Sequence, residues 1–380
     1  MELIEVVDGG LLTMVQDLGR YGYQRYGVPV SGAMDPYALR MANLLLGNSE
    51  GAAALEITLV GPKLKFLADG VVALGGADMA PRVNGQPVAT WRTLKISKGS
   101  LLTFDGPMAG TRVYLAVNAG IDVPKVMGSR STYLKASLGG FQGRILRAGD
   151  RISAPGESAY PTPSGLRVPT EFIPQYGHLH QLRVVMGPQA GAFTHEGVAT
   201  FLSGTYTASR RSDRVGGRLE GPSVEHLRGA DIISDGTAFG SVQITGDGLP
   251  IVLLADRGTT GGYAKIATII SVDVGKLAQA LPGDEVTFKA VSLDEAHRLL
   301  AEREEEMDTL REHVVRARER DPTLMRVTSQ GQAFEVVTED GDYLTQTDSL
   351  DGETVTLRRT VNSTVDGQTY TFQVETEESL

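Results

Sequence analysis

Short apolar runs separated by polar turn dipeptides set the rhythm of this chain. Asp8-Gly9, Asp69-Gly70, Asn84-Gly85, Asp105-Gly106, Asp235-Gly236 and Asp247-Gly248 are hairpin punctuation. Between such turns, residues 71–74, 94–96, 101–104 and 113–117 read as strands, as do 182–186, 251–254, 266–272 and 286–290. The fold class predicted is mainly β, with short strands suited to barrels or sandwiches.

Helical patterns are few before residue 290. One helix is clear over residues 34–48: Asp35 caps it, Pro36 occupies its first position and Gly47-Asn48 close it. A shorter one is expected over 274–280, stopped by Pro282-Gly283. After Ser292 the period changes. Ser292 and Glu295 form a capping box, and Ala296, Leu300, Arg303, Met307, Leu310 and Val314 make a narrow seam on a helix running to about residue 320. That helix begins acidic and ends basic, which suits its dipole. The seam fits either pairing with another helix or packing on the chain's own barrel. Residues 321–380 return to strands and form an acidic accessory tail.

Residues 154–177 carry Pro155, Pro161, Pro163, Pro169 and Pro174 and mark a connector between two β halves. The halves echo each other. Ser31-x-x-x-Asp35 followed by Leu55-Glu56 has a counterpart in Ser209-x-x-x-Asp213 followed by Leu219-Glu220. The expected organisation is a first β unit over 1–155, a second over 175–292, a helix over 293–320 and the tail over 321–380.

Composition narrows the chemistry. With 380 residues and a net charge of −10, the chain has room for more than one core and lacks the basic balance of a nucleic-acid or anionic-membrane binder. It contains no cysteine, so disulfides, thiolate metal sites and cysteine nucleophiles are excluded. No apolar run approaches the roughly 18 residues of a membrane span, and the acidic start is unlike a signal peptide; a cytoplasmic protein is expected. Among six histidines only His178-x-His180 has close spacing, and that pair is assigned to the surface, with no metal site. No phosphate-binding G-x-x-x-x-G-K-[ST] is present. Gly47-x-Ser49-x-Gly51 follows a helix rather than a strand, the wrong context for a nucleophile elbow.

Four polar clusters remain. The insert 256–265 brings Asp256, Arg257, Thr259, Thr260, Tyr263 and Lys265 among three glycines, between two strands. It is longer than a hairpin needs, and it offers groups of both signs for a small anionic or amide substrate. A solvated connection would use the same Gly and Thr. Residues 28–48 run a Ser31-Gly32 loop into a helix start where Asp35 is also an ordinary cap. Ser129, Arg130, Ser131, Thr132 and Lys135 lie in a glycine-rich loop suited to carboxylate or phosphate. Arg210, Arg211, Arg214 and Arg218 are dense for so acidic a chain; they suit either carboxylate capture or internal salt bridges.

Taken in this order, the clusters resemble the allophanate hydrolase subunit 2, or biotin-dependent carboxyltransferase, family, which includes the 5-oxoprolinase C-subunit and KipA-type regulators. The resemblance rests on Val15-Gln16-Asp17-Leu18-Gly19-Arg20, Tyr26-Gly27-Val28-Pro29, Ser31-Gly32-Ala33-Met34-Asp35, Leu55-Glu56, Gly128-Ser129-Arg130-Ser131-Thr132, Gly139-Gly140 and Arg218-Leu219-Glu220-Gly221-Pro222. Its most specific piece is Leu254-Ala255-Asp256-Arg257-x-Thr259-Thr260-Gly261-Gly262-Tyr263-x-Lys265-Ile266-Ala267. It covers about residues 1–292 and implies two cyclophilin-like β-barrel units in tandem.

The resemblance also implies a KipI-like partner subunit, a third subunit, and chemistry on a small amide or lactam. One setting is ATP-dependent opening of 5-oxoproline to glutamate, with ATP and magnesium at the level of the complex. Another is a biotin-dependent carboxyltransferase moving CO2 from carboxybiotin to a urea-like amide. A third is a non-catalytic regulator that binds a KipI-like partner. The tail has no lysine after Lys289, so it cannot carry biotinyl-lysine, and the first setting is favoured. In that setting Lys265 and Arg214 are expected to stabilise charge, and Asp256 to act as base or as orienter of Lys265. Thr259, Thr260 and Tyr263 orient substrate, Arg130 and Ser131 hold a carboxylate or phosphate, and Ser31 and Asp35 complete the binding loop.

Overall fold

The computed structural model describes residues 1–155 and 165–316 in full, the helix backbone to 319 and, beyond it, the backbone of five strands. These divide into two compact units, Met1–Val314 and Val315–Leu380. The first unit contains both β halves, and each of the eight strands expected from the apolar runs is found in it to within a few residues.

The first half has eleven strands: β1 (Glu2–Asp8), β2 (Leu12–Gln16), β3 (Ala54–Thr58), β4 (Lys63–Phe66), β5 (Gly70–Asp78), β6 (Pro81–Val83), β7 (Gln86–Pro87), β8 (Arg92–Ile96), β9 (Leu101–Phe104), β10 (Ala109–Val117) and β11 (Arg151–Ser153). They form one sheet in the order β11-β1-β4-β9-β6-β7 and a second in the order β2-β3-β10-β5-β8. All pairings are antiparallel. Alternation along these strands turns Ile4, Val6, Leu64 and Phe66 of one sheet onto Leu55, Ile57, Leu74, Val113 and Leu115 of the other, in one buried core.

The second half has β12 (Leu179–Met186), β13 (Tyr206–Ala208), β14 (Gly216–Glu220), β15 (Asp231–Gly236), β16 (Ser241–Ile244), β17 (Pro250–Leu253), β18 (Thr260–Tyr263), β19 (Lys265–Ile269) and β20 (Glu285–Ala290). Seven of these close into a barrel in the order β12-β19-β16-β17-β14-β13-β20, which leaves no free sheet edge. Its contacts are antiparallel except between β12 and β20. The other two strands, β15 and β18, pair as a separate ribbon. The insert after residue 255 is therefore a connection only as far as Thr259; from Thr260 it is a strand.

Among the described residues, four α-helices accompany the sheets. Helix α1 (Pro36–Leu45) starts where the Asp35 carboxylate accepts the Ala38 N–H at 3.2 Å. Its apolar face lies on β5 and β10, and Gly75 makes the approach possible: a Cβ there would sit 2.7 Å from the Ala38 carbonyl oxygen. Helix α2 (His195–Ser203) was not expected from the sequence pattern. It is short and begins on Thr194, whose hydroxyl accepts the Gly197 N–H at 2.9 Å. Helix α3 (Val274–Ala278) matches the second expected helix.

Helix α4 (Leu293–Glu319) follows the predicted seam. Met307, Leu310 and Val314 are buried in a cluster with Leu39, Met41, Leu45 and Trp91, so the seam packs on α1 of the first half rather than on the barrel it follows. Charged contacts fix its register. Arg40 donates to both carboxylate oxygens of Glu304, at 2.6 and 2.7 Å, and to Glu50 at 2.7 Å, while the Arg303 guanidinium lies 4.3 Å from the Tyr37 ring centre.

Another expectation is corrected here. His180 is not a surface residue: it lies in β12 and is buried. His178 and His180 converge on the carboxylate of Asp284, at 2.7 and 3.1 Å. In the Val315–Leu380 unit, Leu324–Ser329 pairs with Gln332–Val337, and Thr354–Val365 pairs with Gln346–Asp351 and Gln368–Ser379. No helix among the described residues is long and apolar enough to cross a membrane.

Candidate functional site

Two polar centres emerge from the predicted residues. One lies where the β halves meet, the other under the β15–β18 ribbon.

Arg214 precedes β14, and its guanidinium crosses to the first half. It donates from Nε and Nη2 to the Asp256 carboxylate at 2.9 and 3.2 Å, and from Nη2 to the Gly32 carbonyl at 2.6 Å. From Nη1 it donates to Glu56 Oε1. Every nitrogen of the fork is occupied. Burial opposes its charge, but Glu56 and Asp256 outweigh that and hold it protonated.

Glu56 in turn accepts the Met34 N–H at 2.9 Å and the Tyr114 hydroxyl at 2.7 Å, and Tyr114 accepts the Asp35 N–H at 2.8 Å. Burial, with Glu56 and Asp35 nearby, raises the Tyr114 phenol well above its ordinary range, so it remains a donor. Asp35 accepts from Gln279 at 2.9 Å and Tyr176 at 3.2 Å, and Gln279 accepts the amides of Thr111 and Arg112 at 3.0 and 2.9 Å. Burial raises the Asp35 carboxyl against these donors. Asp35 is thus a helix cap tied into the seam, with its oxygens turned inward.

The 31–32 loop is shaped by the same network. Gly32 lies so close to the 17–20 loop that a Cβ would meet the Gly19 nitrogen at 2.9 Å. Ser31 is buried in the left-handed region at φ 56°, where a side chain is uncommon, and its hydroxyl has no partner. Next to it, Asp17 accepts from Ser129 Oγ at 2.7 Å, from Ser131 Oγ, and from the Gly19 and Arg130 amides at 2.8 and 2.6 Å. Ser131 is therefore committed to Asp17. Arg130 donates to the Val123 carbonyl at 2.8 Å and reaches Asp122 at 3.7 Å, with its guanidinium partly exposed. Arg20 is buried beside them; Nη2 donates to the Ser131 carbonyl, while Nε and Nη1 have no partner.

The ribbon centre holds Lys265. Its Nζ donates to Asp235 Oδ2 at 2.7 Å and to the Gly236 carbonyl at 3.0 Å, beneath a strand pair in which Asp235 opposes Gly261 and Gly236 opposes Thr260. Lys265 is buried, whereas Thr260 and Tyr263 are exposed and Thr259 is half-buried above it. The orienting carboxylate of Lys265 is therefore Asp235. Asp256, expected in that role, is held by Arg214, because the chain turns at 256–259 and sends the two side chains to different partners. Lys265 pulls the Asp235 carboxyl below the usual carboxylate range.

The structure thus brings Arg214, Asp256, Asp35 and the Ser31 loop together, and Lys265 with Thr260 and the ribbon separately. It adds Glu56, Tyr114, Gln279, Asp17 and Asp235, which sequence reasoning left without a role. Glu56 and Asp17 lie within the motifs quoted above; Asp235 read only as half of a turn dipeptide. Among the described residues no group of three or more His, Asp and Glu could hold a metal ion.

Residues 26–290 match the family described as carboxyltransferase domain, subdomain A and B. The chain is similar to the 5-oxoprolinase C-subunit of Escherichia coli (strain K12), at 39% identity over 294 residues, covering 77% of this chain and 93% of that protein. It is similar to urea amidolyase of Saccharomyces cerevisiae at 32% identity over 312 residues, 78% of this chain but 17% of that protein. Among solved structures, the Kluyveromyces lactis urea carboxylase superposes with a TM-score of 0.77 at 28% identity, over 95% of this chain and 33% of that one. The chain spans only one segment of those two larger proteins.

Proposed function

The chain belongs to the carboxyltransferase-domain family (subdomains A and B), and from that membership we propose that it is the C-subunit of a 5-oxoprolinase complex, helping to open 5-oxoproline to L-glutamate together with a KipI-like subunit and a third subunit. The observation that carries this reading is the extent of the match: 93% of the length of the Escherichia coli protein at 39% identity.

Opening a lactam requires negative charge to be stabilised on the carbonyl oxygen as water adds to the carbonyl carbon, and the ring nitrogen then leaves with a proton. In this reading Lys265 supplies the positive charge. Asp235 and the Gly236 carbonyl aim its ammonium, and a substrate oxygen arriving over Thr260 and Tyr263 competes for one of its N–H bonds. Thr259, Thr260 and Tyr263 orient the ring. Arg214 has no free donor, so it acts as a positioning residue: it locks Asp256, and hence the turn leading to Thr259, against the first half. Arg130, with its guanidinium partly open, is the arginine left to meet a carboxylate in its loop.

The residues of this chain do not fit a magnesium nucleotide as a site of their own. No metal-ligating group gathers among the described residues, and Lys265 is already paired. The nucleotide is therefore assigned to the complex.

The experiment is an activity assay of this chain co-expressed with its neighbouring-gene products, measuring ATP-dependent glutamate release from 5-oxoproline with and without avidin. Avidin-insensitive glutamate release is the expected result. The likeness to urea carboxylase favours one second reading, a carboxyltransferase subunit moving CO2 from carboxybiotin to a small amide. Loss of turnover with avidin, or turnover only with urea-like amides and bicarbonate, would put that reading first. An intact complex without turnover would point to a regulator.

A further inference from the structure

Beneath the Arg214 network the seam between the two β halves opens into a cavity of about 100 Å³. Thr58, Thr111 and Arg112 line it from the first half, and Ser209, Arg210 and Asp213 from the second. None of these six residues has a role in the proposed lactam chemistry.

Two of the polar groups lining this cavity lack partners. Thr58 is buried and its hydroxyl makes no hydrogen bond. Arg112 spends Nη1 on the Ala278 carbonyl and on Thr111 Oγ1 at 3.0 Å, and its buried Nε has no partner. Buried donors are rarely left unmade, because the desolvation cost is then uncompensated. The carboxylates whose fields reach Arg112, Glu56 and Asp35, are already engaged by Arg214, Tyr114 and Gln279. Neither Arg112 nor Arg210 forms an ion pair among the described residues. The one carboxylate of the lining, Asp213, is partly engaged, its Oδ1 accepting the Val215 and Gly216 amides at 2.8 and 2.9 Å. Met34, Leu254, Leu277 and Ala280 make the rest of the wall apolar, a low-dielectric setting that strengthens a charge-assisted contact.

We propose that this seam cavity is a binding site for a small oxyanion, held by Arg112, Arg210 and the Thr58 hydroxyl. The volume is smaller than the roughly 150 Å³ that admits benzene in an engineered cavity, so the ligand is a free ion or a single carboxylate or phosphate group, and a nucleotide is too large. Because residues of both halves line the cavity, the bound anion would brace the seam on which Arg214 and Glu56 meet. This inference concerns the seam and does not depend on the chemistry assigned to the ribbon.

The test is calorimetric titration of the full chain with inorganic phosphate, with bicarbonate, and with 5-oxoproline beside its carboxamide. At least one oxyanion is expected to saturate a single site, with affinity falling as salt rises. Arg210→Gln, on an exposed loop residue that should not disturb folding, is expected to weaken binding about tenfold, the scale of one charge-assisted hydrogen bond. Thr58→Val, which keeps the shape and removes the hydroxyl, should weaken it severalfold, while Arg82→Gln, outside the cavity, leaves it unchanged. Phosphate or bicarbonate binding without 5-oxoproline binding identifies a free-ion site. Binding of 5-oxoproline but not of its carboxamide, when Arg210→Gln weakens it, identifies a substrate carboxylate in the seam; carboxylate-dependent binding that Arg210→Gln leaves unchanged belongs to Arg130 and counts against the seam site. The proposal is overturned if no anion saturates up to about 10 mM, or if folded Arg210→Gln and Thr58→Val bind as the parent does. Glutamate release by the complex is scored separately, so a failed anion site and a failed 5-oxoprolinase reading give different results.

Discussion

Arg214 of the second β half and Glu56 of the first form a buried ion pair, with 5% and 1% of their side-chain surfaces exposed. Each also serves its own half, Arg214 through Asp256 and Glu56 through Met34 and Tyr114. Removing one partner leaves the other buried and uncompensated, a loss of about 3–5 kcal/mol. Arg214→Met and Glu56→Gln should each lower the urea midpoint strongly. The double variant should lose less than the sum, and strict additivity in that cycle would show that the pair is not coupled.

The split between the two polar centres separates their variants. Lys265→Ala is expected to abolish turnover of the assembled complex while the circular-dichroism spectrum of the chain keeps the parent's folded shape, with some loss of melting temperature from the emptied buried site. Asp235→Asn should keep the lysine charge but loosen its aim, giving a smaller loss. Near-normal turnover in Lys265→Ala would remove the assignment of charge stabilisation to the ribbon. Asp256→Asn should act first on stability, through Arg214.

Asp35 provides a pH test. Burial raises its carboxyl in the folded chain above the ordinary aspartate value of about 3.9. Between those two values the folded state binds more protons than the unfolded state, so this group makes stability fall as pH rises through that window. Asp35→Asn can still cap α1 and removes the titration. Acidification through the window should raise the parent's melting temperature relative to the variant's. Melting curves that stay parallel across pH would contradict the burial argument.

Helix α4 is buried at its centre and open nearer its start. Met307 is fully buried, whereas Leu300 on the same predicted seam is 39% exposed. Met307→Ala should cost about 2–5 kcal/mol by leaving a cavity against α1, and Leu300→Ala should stay within about 0.5 kcal/mol. Chemical denaturation of both variants checks this; equal effects would mean that the helix does not sit on α1 as described.

The order of apolar and polar residues by itself determined the strands, the helix capped by Asp35 and the long amphipathic helix after Ser292, because period, caps and turn dipeptides act within a few residues of chain. It also determined the family, since the motifs from Val15 to Ala267 are contiguous words. What covers what was decided only by the tertiary structure. The α4 seam states that a face must be buried and is silent on where, and the answer is α1 of the other half. The dense arginines after residue 209 were equally consistent with ligand capture and with internal pairing. Three-dimensional closure sends Arg214 to Glu56, 158 positions away in sequence, and leaves Arg210 at a cavity mouth. Lys265 shows the same limit: nearness in sequence suggested Asp256, but the register of β15 on β18 delivers Asp235. Side-chain pairing of this kind depends on long-range strand register, and a local pattern does not encode it.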